Sequence, residues 1–428
     1  MEPYGLVDLT DLRPKDYGLF FLTRNPFPAI GVPGDTIPYT VDREASKKRF
    51  KDVVTVLQNP QENTSNTSTI TVLVGDYGSG KSHLLKLFKQ SVNTLLLPQR
   101  PGTIAIYIKS PGEDFLDFYQ KFIEDIGRSF LESYSNQIIR KYFEDKPQKV
   151  ASFIHDSDIK KQFLQGKYSI ESVIQKSQRN NLFQEIRNDY FGSVGSSDLV
   201  FAFLNLSAPE YSSKAWLWFH GGKVDKEKEV LKIESSISDQ EIAFLIFKDM
   251  FKLLKAIEIP SCVLLIDELE RITLIHPTKK ARYQDLLREL IDEFPNGLCL
   301  YFAIAPLQWQ ELTKEATALV RRLAGNWYKL DTFDKDLTKQ LIETYLNSAR
   351  VKNYHSQMLK EKYRECEPSL CPFTNSSIDS IQTISKGSIS TVLTMCRDLL
   401  DELWDKRETT SVISAEFVEK MYKREVKK

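Results

Sequence analysis

An excess of charge of either sign is missing from this chain. Its 428 residues hold 58 Lys plus Arg against 58 Asp plus Glu, a formal net charge of zero, so no global field draws it to nucleic acid or anionic lipid. Any such contact must come from local patches. Cysteine is scarce, and the five present (Cys262, Cys299, Cys366, Cys371, Cys396) do not form the even framework of a disulfide-stapled secreted domain. Cys366 and Cys371 flank four residues, but no second Cys or His pair accompanies them at zinc spacing. Long apolar runs are also absent: none approaches about 18 residues, and the opening MEPYGLVDLTDLRPKDYG lacks the basic flank and apolar stretch of a secretory signal. A cytoplasmic protein without membrane association is therefore expected. What is present, 41% hydrophobic and 27% charged residues, suffices for a sizeable core and lies outside the disordered regime.

At roughly 150 residues per domain the length suggests two or three structural units. Apolar, β-branched runs at Thr69 to Val74 and Cys262 to Ile266 read as buried parallel strands, with further candidates at Thr103 to Ile108 and Leu298 to Ile304. Helical patterns at Ser82 to Leu97, Glu113 to Tyr134, Asp239 to Ala256 and Tyr283 to Phe294 lie between them, so an α/β doubly wound parallel sheet is expected. From about Asp331 the pattern is helical only: Asp334 to Ala349, Ser377 to Ser385, Ser390 to Trp404 and Ser414 to Lys423. Gln61 to Ser68 reads as a polar surface loop. The expected organisation is 1–110 as the first half of the core, 111–235 as a mostly helical insertion, 236–330 as the second half, and 331–428 as a helical lid.

VLVGDYGSGKSHLL carries the sharpest chemistry. Gly75 and Gly80 are separated by four residues and followed by Lys81 and Ser82, between a strand and an apolar helix. Glycines permit the positive φ that lets the N–H groups of Gly75, Asp76, Tyr77, Gly78, Ser79, Gly80, Lys81, Ser82 and His83 wrap a polyphosphate at a helix N-terminus. Lys81 would reach the β- and γ-phosphates and Ser82 would ligate Mg²⁺. The chain is thus expected to bind ATP. In CVLLIDELER an apolar strand delivers Asp267 and Glu268, the first to hold Mg²⁺ and the second to orient or deprotonate the attacking water. Glu270 and Arg271 either continue this motif or form a solvated helix start.

With both motifs in place, the chain resembles the AAA+ superfamily of P-loop NTPases, and within it the origin-recognition-like initiator clade. GLFFLTRNPFPAI is similar to the clade's N-terminal segment, which implies that Asn25, Pro26 and Phe27 lie against the adenine. YTVDREASKKRF resembles its glycine-arginine-glutamate box, with Asp42, Arg43 and Glu44. At the end of the fourth strand, where the family has a polar sensor, LYFAIAPLQW offers Ala305 and Pro306. ALVRRLAGNWYKL is similar to the helix end that supplies an arginine finger to a neighbouring subunit, implying Arg322 first and Arg321 second as catalytic residues in trans. In SKGSISTVLTMCRDLL the family's second sensor arginine is replaced: Ser390 stands three residues after Gly387, with Lys386 as a substitute. Both departures imply slow or partner-stimulated turnover. Ser213 to Glu270 also resembles the stretch before the acidic strand in ATP-binding proteins of BREX phage-defence systems, through Trp216, Leu217 and the pair Gly221 and Gly222. For Trp216, Trp218 and His220 a packing role is expected.

The resemblance implies an ATP-assembled homo-oligomer acting on double-stranded DNA or a DNA-bound partner in replication, transposition or phage defence. Only 41 residues follow Gly387, room for lid helices but not for the clade's winged helix. DNA contact would fall to local basic stretches such as VDREASKKRFK and KMYKREVKK, which also read as solvated faces. A protein partner could engage the insertion. The alternative to a motor is a nucleotide-gated scaffold or signalling NTPase with little turnover. Lys81 and Asp267 stand 186 positions apart, more than a compact P-loop domain needs.

Overall fold

The computed structural model describes residues 15–28, 40–58, 69–151, 153–154, 156–293, 297–315, 317–323, 325–351, 363–407 and 411–422. The polar loop 61–68 and the last six residues of the basic terminal stretch lie outside them. The chain forms two compact units: one of 1–47, 75–83 and 330–428, the other of 48–74 and 84–329.

The larger unit is built on a sheet of five strands, β1 Thr69–Gly75, β2 Thr103–Ile108, β3 Ser261–Ile266, β4 Leu298–Ile304 and β5 Trp327–Leu330, in the order β2-β3-β4-β1-β5. The pairs β2–β3, β3–β4 and β4–β1 are parallel. Every residue of β3 and β4 is buried, which accounts for their unbroken apolar sequences. With β4 between β1 and β3, in the registers Val74↔Ile304 and Ile266↔Phe302, the carboxyl ends of β1 and β3 fall at one edge of the sheet. The α/β expectation holds, and the four strands foreseen are present. β5 was not foreseen.

Among the described residues between β2 and β3 the chain is helical and has no strand. The expected single helix Glu113 to Tyr134 is two, Phe115–Ile126 and Arg128–Asp145, broken at Gly127 with φ +84°, a conformation that favours glycine. Asp114 caps the first by accepting from the Asp117 N–H. These helices do not form a core of their own: Trp218, Phe203 and Leu182 belong to one apolar cluster with Ile106, Leu264 and Leu300 of the sheet. Trp218 donates its Nε1–H to the Ser235 carbonyl at 2.8 Å, and Trp216 meets His220 edge-on. At that volume each buried aromatic contributes several kcal/mol of packing.

The smaller unit has its own core. Helices Lys335–Ser348, Asn375–Ser385, Ile389–Asp405 and Ala415–Tyr422 pack with the N-terminal turn Tyr17–Phe20. Asp334, Thr374 and Ser388 cap the first three by accepting from the N–H three residues on. Gly75 to His83 also belong to this unit.

Candidate nucleotide-binding site

The loop after β1 follows from its glycines. Gly78 and Gly80 have φ of +75° and +94°, and a Cβ on Gly75 would lie 2.7 Å from Ser79 Oγ. Only glycine fits at all three without strain. The helix Lys81–Leu95 begins at the end of the loop with no acidic residue in its first turn, leaving its N-terminal partial positive charge unopposed. Lys81 is buried, and its Nζ donates to the carbonyls of Gly75 at 2.6 Å and Asp76 at 3.1 Å, with the Tyr77 ring 5.6 Å away. Tyr77 is 71% exposed. Ser79 is fully buried and its hydroxyl has no hydrogen-bond partner. A buried hydroxyl without a partner, a glycine cradle and an ammonium resting on loop carbonyls together fit a polyphosphate.

Two residues of the N-terminal segment reach this loop. Arg43 donates from Nη2 to the Ser79 carbonyl at 3.0 Å, and its guanidinium lies 4.7 Å from the centre of the Phe333 ring. Thr40 Oγ1 and His83 Nε2 share a hydrogen bond of 2.8 Å. The lid helix Ile389–Asp405 meets the loop through its first turn. Ser390 N–H donates to the Gly78 carbonyl at 3.3 Å, and Cβ atoms on Gly78 and Gly80 would approach Ser388 Oγ and Ile389 Cδ1. Ser390, where the family expects an arginine, thus contacts the loop by its main chain. Lys386 has a left-handed backbone at the C-cap of Asn375–Ser385.

In the larger unit β3 ends on the paired carboxylates. Asp267 is 2% exposed; its Oδ2 accepts from the Tyr107 hydroxyl at 2.9 Å and its Oδ1 from the Glu268 N–H at 2.9 Å. Tyr107 was not anticipated. Glu268 sits at φ +48°, a left-handed conformation uncommon for a side chain of its size, and pairs with Arg271 Nε at 2.5 Å. Glu270 is buried. Ala305 and Pro306 follow β4 directly, so that strand ends without a polar side chain at either position.

Asn25 and Phe27 are anchored to the lid helix. Asn25 Nδ2 donates to Asp401 Oδ1 at 2.8 Å and to the Arg397 carbonyl at 3.2 Å, while Arg397 Nη1 donates to the Phe27 carbonyl at 2.9 Å. The Phe27 ring is 1% exposed, stacked on Tyr345 and edge-on to Phe373. Arg322 is exposed and forms a two-pronged bond with Asp292, Nε to Oδ1 at 2.5 Å and Nη2 to Oδ2 at 2.7 Å; hydrogen bonding to that carboxylate raises its pKa further. Arg321 is exposed beside it. Among the described residues no three acidic, His or Cys side chains gather as a ready-made metal cluster. Asp267 and the Ser82 hydroxyl are of the oxygen-donor type that Mg²⁺ takes, one or two protein ligands beside phosphate oxygens.

A glycine-rich loop between β1 and its helix, paired carboxylates after β3, and the order β2-β3-β4-β1-β5 are those of an α/β P-loop fold of the AAA+ type. Residues 64–154 match the family described as AAA domain. No curated protein matches the chain, so the likeness of Ser213 to Glu270 to phage-defence proteins rests on those residues alone. Among solved structures, the ORC2 protein of Aeropyrum pernix, in ADPNP-ADP complexes, is similar at 9% identity over 90% of this chain and 70% of that one, with a TM-score of 0.45. A Walker-type ATPase of Pyrococcus abyssi is similar at 14% identity over 88% and 73%, with a TM-score of 0.39. Among the described residues no helix is long and apolar enough to cross a membrane.

Proposed function

We propose that the chain is an initiator-like AAA+ ATPase, which binds ATP with Mg²⁺, assembles with copies of itself and acts on DNA or a DNA-bound partner. The supporting observation is the phosphate loop after β1 and the carboxylate pair after β3, on strands whose carboxyl ends share one sheet edge. In this reading the N–H groups of Gly75 to His83 wrap the phosphates, and Lys81 leaves its loop carbonyls to meet them. Ser82 and Asp267 hold the metal ion, with the Tyr107 hydroxyl orienting Asp267. Glu268 orients the attacking water, and Asn25 and Phe27 set the border of the base site from the lid. Arg322 acts in trans; its exposed pair with Asp292 costs only about 0–1 kcal/mol to open. Residues 111–235 are the insertion through which a protein partner would be met, and 331–428 the lid.

Ala305, Pro306 and Ser390 favour a second reading, a nucleotide-gated scaffold or signalling switch, because the first two offer no polar side chain and the third no cation to a γ-phosphate. ATP turnover measured across protein concentration, with and without double-stranded DNA, separates the two. The ATPase reading expects turnover per subunit to rise with concentration and with DNA. Tight ATP binding without turnover under any of these conditions would select the switch.

A further inference from the structure

Arg43 has no task in the reading above, yet its geometry is demanding. Asp42 and Arg43 are consecutive residues with φ of +55° and +74°, each costing a side-chain-bearing residue about 1–2 kcal/mol. Such a bend persists only where its surroundings over-determine it. Here the helix Glu44–Gln58 starts at once, with Lys47 N–H donating to the Arg43 carbonyl at 2.8 Å. The guanidinium is held between the Phe333 ring and the Ser79 carbonyl. Phe333 is itself tied to the lid, its N–H donating to the Gly387 carbonyl at 2.9 Å.

In a planar trans peptide the C=O and N–H point in opposite directions, so a donor that fixes the Ser79 carbonyl also fixes the Gly80 N–H. Gly80 needs such control, since without a Cβ its peptide can flip at little steric cost. The neighbouring loop carbonyls are held as well: Gly75 and Asp76 by Lys81, Gly78 by Ser390. Among the described residues, the charged donor that reaches these carbonyls from outside the loop and lid is Arg43. We infer that Arg43 is a positioning residue: by pinning the Ser79 carbonyl it aims the Gly80 N–H into the phosphate cradle, so that polyphosphate affinity depends on the N-terminal segment. This rests on the nucleotide-binding reading and adds a determinant to it.

The test is competitive displacement of a fluorescent ADP analogue from the full chain by ADP, pyrophosphate and adenosine, for the parent, Arg43→Met and Arg43→Lys. Methionine keeps the stem over Phe333 and removes the donors. Arg43→Met is expected to weaken ADP and pyrophosphate alike by about tenfold, the scale of a hydrogen bond from a charged donor, and to leave adenosine unchanged. Arg43→Lys, which keeps a charged donor, is expected to stay within about threefold of the parent. Undiminished pyrophosphate binding by Arg43→Met would overturn the inference, as would an equal loss for adenosine. Should Arg43→Met not fold, Arg43→Lys decides alone: a phosphate-selective loss as large as tenfold would show that a charged donor is not what the carbonyl needs. A parent that binds neither ADP nor pyrophosphate would instead remove the nucleotide site itself.

Discussion

Gly387 offers a sharp test of the lid. Its φ is +73°, and a Cβ there would lie 2.0 Å from the Phe333 carbonyl oxygen. That oxygen accepts from Gln382 Nε2 at 2.7 Å, and the Phe333 N–H donates to the Gly387 carbonyl at 2.9 Å. The main chain cannot retreat from a new methyl group without losing one or both bonds. Placing alanine in the left-handed region costs about 1–2 kcal/mol, and each lost hydrogen bond about 0.5–1.5 kcal/mol. Gly387→Ala should therefore destabilise the smaller unit by about 2–5 kcal/mol, a large share of ordinary domain stability. At about 2–4 °C per kcal/mol for a unit of this size, its melting transition should fall by roughly 4–20 °C. Differential scanning calorimetry is the appropriate assay, because two units need not melt together. A variant melting within about 1 °C of the parent would refute the close approach of Gly387 to Phe333 and the lid register built on it.

Three further outcomes are expected. Phe27→Ala, which empties a buried ring site between Tyr345 and Phe373, should cost the same unit about 3–5 kcal/mol, read in the same calorimetric transition; an unshifted transition would place the ring outside the lid core. Tyr107→Phe removes a hydrogen bond to Asp267 without changing packing volume, so the Mg²⁺ concentration for half-maximal ATP turnover should rise severalfold while the melting temperature holds; an unchanged Mg²⁺ dependence would deny Tyr107 that role. All five thiols are buried and none is in a disulfide; burial pushes those of Cys262 and Cys396 well above the usual thiol range, whereas a hydrogen bond with Cys371 lowers that of Cys366, which only its burial shields. A disulfide reagent at pH 8 should therefore leave the native chain essentially unlabelled and titrate five thiols after denaturation, and rapid labelling of the native chain would contradict the packing.

The parts legible in the sequence are those written in neighbouring residues. β3 and β4 are buried on both faces, so they appear as unbroken apolar runs, and the phosphate loop is a local spacing of Gly75, Gly80 and Lys81. β5 escaped because Trp327, Tyr328 and Lys329 are wholly or partly exposed and only Leu330 is buried, leaving no apolar run to notice. The break at Gly127 was hidden because apolar periodicity continues across it on both sides. Tyr107 could not be foreseen as a partner of Asp267, nor Asn25 as one of Asp401, since those pairs are joined by the fold across 160 and 376 residues. The helices between β2 and β3 read as an insertion from length alone. Their aromatics enter the sheet's own core, a fact that composition does not carry.

The central proposal is that Lys81 is needed to bind ATP and Glu268 to hydrolyse it, and parallel measurement of ATP affinity and turnover for the parent, Lys81→Ala and Glu268→Gln tests it most directly. The account predicts that Lys81→Ala loses ATP binding, and that Glu268→Gln binds ATP as tightly as the parent while turning it over at least about a hundredfold more slowly. A Glu268→Gln variant that hydrolyses ATP at the parent's rate would contradict it.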